Sequence, residues 1–165
     1  MTAADLAALP LSVHLHRWPA LGALVLGPFA LNRRRRDIWH RGAGYLWVGL
    51  MALTAASAFW IEAAVLPIGH GFGPIHALSA LVLYGLWRGV AAARAGDVAA
   101  HSGWMRALYW QALIIAGSFT LLPGRTLNTL LFPDYPMLGV VVILGVGVVL
   151  GLRALRLRAG LRAAG

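Results

Sequence analysis

From Arg33 to Ala64 the chain reads R-R-R-R-D-I-W-H-R-G-A-G-Y-L-W-V-G-L-M-A-L-T-A-A-S-A-F-W-I-E-A-A. Five arginines within nine residues give way at Gly42 to a stretch with almost no charge. This is the pattern of a cytoplasmic loop feeding a membrane helix: about 20 apolar residues cross a hydrocarbon core, and Arg and Lys collect in the loops that stay inside. The whole composition agrees, with 60% hydrophobic and 12% charged residues among 165, where a soluble domain carries roughly a quarter charged.

Outward from this stretch, four further apolar segments are expected. One precedes it at about 12–31, with Ser12 as N-cap and Pro19 as a kink site. The arginine-led stretch itself makes a helix of about 38–64. The remaining segments fall at about 74–93, opened by Pro74, at 101–122, and at 137–152, followed by a basic tail at 153–165. The arginines at 33–36 and 41, at 88 and 94, and at 153, 156, 158 and 162 fall on one side if every segment crosses once. The expectation is a single integral domain, 1–165: an all-α membrane protein with a four-helix transmembrane bundle plus a fifth C-terminal helix. Its N-terminus would lie outside and its C-terminus in the cytoplasm, multi-pass in a bacterial inner membrane. No cleavable leader is read in Met1–Pro10.

The net charge of +9 sits in short clusters between apolar runs, so it points to lipid headgroups and not to nucleic acid. With no cysteine, disulfides, thiolate metal sites and c-type haem attachment are excluded. Any metal chemistry runs through His and Met.

The topology sorts the histidines into two layers. His40 and His101 open the second and fourth segments at the inner end; His14 and His16 lie in the first and His70 and His76 near the start of the third, at the outer end. A low-spin haem iron takes an imidazole from each face of the porphyrin, and the helices carrying them need small neighbours. Residues one turn apart share a face: His16 looks along Ala20, Ala23 and Gly27, whereas His14 looks along Trp18, Leu21 and Val25. His40 has Gly44 and His76 has Ala80; His101 has the softer Met105. His40 with His101 and His16 with His76 are therefore the candidate axial pairs for two b-type haems, with Arg17, Arg41 and Arg106 as partners for the propionates. The pairing assumes that the first helix lies beside the third and the second beside the fourth. From His16 to the inner end of its helix is about 15 residues, roughly 22 Å at the helical rise, deep enough for two layers. Gln111 is a candidate quinone contact, and Glu62, Thr54, Ser57 and Tyr84 are read as boundary or interhelical groups. Trp18, Trp39, Trp60, Trp104 and Trp110 fit an aromatic belt.

The motifs His40-Arg41-x-x-Gly44-Tyr45 and Arg94-x-Gly96-Asp97 leading to His101-x-x-Trp104-Met105-Arg106 resemble an uncharacterised family of small prokaryotic integral membrane proteins over about three quarters of the chain. The segment 116–125 looks family-like too. The layout of histidines is similar in architecture to di-haem membrane cytochromes b and ferric reductases. That likeness implies an electron-transfer protein or membrane oxidoreductase subunit with a quinone or redox partner protein. Two other readings stand beside it: a non-catalytic accessory or assembly subunit of a larger membrane complex, and copper handling through His14-x-His16 or His101/Met105.

Overall fold

The computed structural model describes residues 7–33, 36–63 and 71–163, with backbone alone for 153–154 and 157–163. His70 and the Arg34–Arg35 pair lie outside the described residues. The described chain is helical, without a strand, and divides into two units, Thr2–Ile115 and a second comprising Ala116–Gly165 with Met1.

The first unit holds α1 (Leu11–Asn32), α2 (Ile38–Ser57, tightening to 3-10 geometry at Ala58–Trp60), α3 (Pro74–Arg94) and α4 (Val98–Ala107), which winds on as a π-helix over Leu108–Ile115. α1 packs on α2, α2 on α3 and α3 on α4, and α4 with its π-helical extension returns to α1. The pairs α1/α3 and α2/α4 therefore lie on the diagonals of the bundle.

Local chemistry explains where these helices begin. Asp37 caps α2 by accepting the backbone N–H of His40 at 3.0 Å, and Asp97 caps α4 by accepting that of Ala100 at 2.9 Å; such short acceptors satisfy helix N–H groups that have no partner of their own. α1 starts one residue earlier than expected. Pro10 occupies the cap position without a side-chain bond, its carbonyl taking Val13 N–H at 3.0 Å, and Ser12 lies inside the helix. α1 also runs on through both Pro19 and Pro28. A proline costs a helix one donor; Pro19 is buried and Pro28 exposed.

The core draws on all four helices: Ala23 from α1, Trp47, Met51 and Ala55 from α2, Val82 and Leu86 from α3, and Met105, Leu108 and Tyr109 from α4 and its extension. Glycines set the close approaches. A Cβ at Gly27 would come closer than 3.0 Å to the Tyr109 ring, and one at Gly89 would collide with the Met105 methyl. Trp47 is 2% exposed and its indole N–H donates to Ala23 O at 3.0 Å. Trp18, Trp39, Trp60 and Trp87 are exposed.

Ile38–Trp60 and Pro74–Arg94 are each long and apolar enough to cross a membrane, and only 28% and 33% of their apolar windows are buried inside the protein. Large apolar side chains such as Leu11, Val25, Ile38 and Leu81 point outward, as expected where the surroundings are lipid.

The second unit, taken by itself, contains a short helix α5 (Thr126–Leu131), which lies between the expected segments at 101–122 and 137–152, and α6 (Met137–Ala163). Asn128 is fully buried, and its amide donates to Leu121 O at 2.7 Å and Pro136 O at 2.8 Å. It thereby clamps the segment that precedes α6. Gly139 packs so tightly on the Leu121 carbonyl that no side chain fits there. α6 extends past the expected end at 152 to Ala163, taking in the arginines read as a tail. Segment two stops short instead: after Trp60 the chain is no longer helical, so the expected end at 64 is not reached.

Candidate functional site

The Asp37 and Asp97 caps each place a histidine in the first turn of a helix. His40 and His101 start from opposite corners of the bundle, at the end that also carries Arg33, Arg36, Arg41, Arg88 and Arg94, and their rings meet with centroids 6.5 Å apart and planes at 82°. Two imidazoles that grip one metal between them have centroids about 6 Å apart, from metal–nitrogen distances of about 2.0–2.1 Å and about 1 Å more to each ring centre.

The hydrogen bonds decide which nitrogens are available. His101 Nδ1 lies 2.9 Å from Gly89 O on α3. A carbonyl only accepts, so Nδ1 carries the proton and Nε2 keeps its lone pair. His40 Nδ1 is buried with no hydrogen-bond partner among the described residues, an arrangement that folded proteins avoid unless the group has another use. Asp37 holds the turn beneath His40. Its carboxyl accepts bonds from Arg33, one of them at 2.9 Å, and is held well below the usual carboxylate range by that hydrogen bond first and by the His40 N–H second. Neither Asp37 nor Gly89 was singled out from sequence. Asp37 had a readable signal, a capping residue three positions before a histidine; Gly89 had none.

The outer histidines behave differently. His16 turns its Nδ1 to Thr54 O of α2 at 2.8 Å, which again leaves Nε2 free. His76 is 5% exposed and sits between Phe72 and Phe59, with ring centroids at 4.5 and 5.9 Å. Its Nδ1 accepts the Gly73 N–H at 3.1 Å while its own N–H returns to Gly73 O at 3.0 Å, so it caps α3 and carries its proton on Nε2. Among the described residues no ring contact joins His16 to His76. His14 accepts from Arg17 at 3.0 Å, and the Arg17 guanidinium also lies 4.9 Å over the Trp18 ring. Arg41 and Arg106 are exposed.

The other polar candidates are spread out. Thr54 and Ser57 bond back to carbonyls of their own helix at 2.9 and 2.7 Å. Tyr84 accepts from Arg88 at 3.2 Å. Gln111 and Glu62 are exposed, Gln111 within the π-helical stretch. Met105 is buried against Gly89, and no group of three or more His, Cys, Asp or Glu able to hold a metal ion occurs among the described residues.

Along the bundle axis, Trp47, Met51, Met105, Leu108 and Tyr109 fill the space, and the small face along Ala23 and Gly27 is occupied by the Trp47 and Tyr109 rings. Near the inner histidines Gly42 and Gly103 are exposed, and a Cβ at Gly42, Gly44 or Gly103 would meet nothing within 4 Å. At the arginine-rich end of the bundle, the facing His40 and His101 rings and the unpartnered His40 Nδ1 are the residues a metal-bearing cofactor would use.

No curated protein and no solved structure matches the chain. One family model does match, over residues 13–155, which takes in all but the first two residues of the four helices and most of α6, and the chain accordingly belongs to that family, the predicted membrane proteins designated DUF2306.

Proposed function

We propose that this protein is a small b-type membrane cytochrome that holds one haem between His40 and His101 at the cytoplasmic end of its bundle and passes single electrons there. The observation that carries the reading is the facing His40–His101 pair at 6.5 Å, drawn from two helices that do not adjoin. A bound haem would supply a one-electron couple. The chain's own part is to present two neutral imidazoles, to hold their helices apart by the packed core below, and to offer Arg41 and Arg106 to the propionates. The arginine bias puts this end on the cytoplasmic side of an inner membrane, with the N-terminus outside and the C-terminus inside. A quinol or a redox protein is the class of partner this chemistry calls for. The outer histidines, one turned to Thr54 and one capping α3, give no comparable support to a second haem.

The test is a reduced-minus-oxidised visible spectrum of the protein purified from haem-replete cells. A b-type signal is expected, lost in His40→Ala and in His101→Ala and kept in His16→Ala and His76→Ala. A preparation with no haem signal, one with stoichiometric copper in place of iron, or a signal that survives either inner substitution overturns the proposal.

A further inference from the structure

Resting on that reading, we propose that the backbone carbonyl of Gly89 is a positioning group for the site, holding His101 as the tautomer that binds through Nε2. The hydrogen bond of 2.9 Å from His101 Nδ1 crosses from α4 to α3, and it exists only because the two helices run very close. Gly89 is buried, and a Cβ there would collide with the Met105 methyl and stand 3.2 Å from Trp104 Cβ. One turn earlier, a Cβ at Gly85 would stand 3.0 Å from Leu108 and 3.4 Å from Trp104. The two glycines, four residues apart on one face of α3, therefore bring the Gly89 carbonyl within reach of the imidazole. A histidine ligand that donates its other N–H to a carbonyl is fixed in rotation and is a stronger base toward the metal. The contrast within this chain is informative: His76 receives a backbone N–H on Nδ1 and so is held in the opposite tautomer.

The experiment is nitrogen NMR of the histidine side chains in the cofactor-free protein, followed by haem titration. In the native chain near pH 8, His101 should show a protonated Nδ1 and a bare Nε2, and His76 the reverse. Gly89→Ala should shift His101 toward mixed tautomers and weaken haem binding about 10- to 100-fold, the usual cost of losing such a partner, while His16, bonded to Thr54, keeps its pattern. If Gly89→Ala fails to fold, Gly89→Ala combined with Met105→Ala removes the main collision and is the variant to read; it should fold and restore most of the His101 tautomer. A native His101 protonated on Nε2, or a folded Gly89→Ala with unchanged tautomer and haem affinity, overturns the proposal. Because the NMR readout needs no cofactor, a chain that binds no haem would sink the functional reading and leave this test intact.

Discussion

Replacing Gly27 by alanine probes whether α4 closes against α1 as described. The new methyl would come closer than 3.0 Å to Tyr109 Cε2 and Cδ2 and stand 3.2 Å from Trp47 Nε1. Carbon pairs prefer about 3.5–4.0 Å, so the tyrosine ring must retreat by about 1 Å or more. It has little freedom to do so, being 7% exposed within the core and bonded through its hydroxyl to Leu24 O at 3.3 Å. Overpacking of this kind costs about 1–3 kcal/mol, offset by about 1 kcal/mol from the better helix propensity of alanine. Gly49→Ala separates the two terms, since a Cβ there meets nothing within 4 Å. Gly27→Ala should thus be less stable than Gly49→Ala by about 1–3 kcal/mol, measured by unfolding in mixed micelles with increasing denaturing detergent, and the gap should shrink in a Tyr109→Ala background, as expected of residues in contact. Equal stability of the two variants, within about 0.5 kcal/mol in both backgrounds, would refute the packing of Tyr109 on Gly27.

Three further outcomes are expected. Asn128→Ala should destabilise the segment leading into α6 by about 1–3 kcal/mol, because two part-buried carbonyls lose their donor, and Asn128→Asp should be worse at neutral pH and improve on acidification, when the carboxyl regains a proton to donate; amide exchange in residues 121–136 reads both. Gly139→Ala should disrupt that segment more severely, as its Cβ meets the Leu121 carbonyl itself, and protection of the same amides reports it. Asp37→Ala should speed exchange of the His40 amide while Asp37→Asn, which retains a capping oxygen, restores most of the protection. Since the folded Asp37 carboxyl is held below its ordinary range, its contribution is complete at neutral pH and is lost only as the pH falls through and below about 3.9, the unperturbed aspartate value.

Membrane character and an all-helical bundle were legible from the alternation of arginine clusters with long apolar runs, because bilayer thickness and loop charge act on composition directly. The His40–His101 pairing was legible in part: both open helices beside arginines, but the sequence carries no signal of helix order, and the side-by-side placement of the second and fourth helices that the pairing assumed gives way to a diagonal one. Packing was not legible. Gly27 read as room for a flat group, yet it is Tyr109, distant in sequence, that takes the space. Trp47 carries no mark separating it from the outward-facing Trp39 or Trp60, and its buried place depends on an indole bond to another helix. The π-helical turn at Leu108–Ile115 has no single-residue signature, being a response to how α4 meets its neighbours. The capping role of His76 depends on a backbone N–H that only the folded turn presents to it. Arg153 and Arg156, three residues apart, could have been read as helical spacing continuing α6 where a tail was expected.

The proposed haem between His40 and His101 is tested most directly by the haem-to-chain ratio of the purified protein, by extraction of the haem as its pyridine complex against quantitative amino-acid analysis. One non-covalent haem b per chain is expected in the native protein and none in His40→Ala. A ratio of zero in haem-replete native protein, or of two, would contradict the proposal.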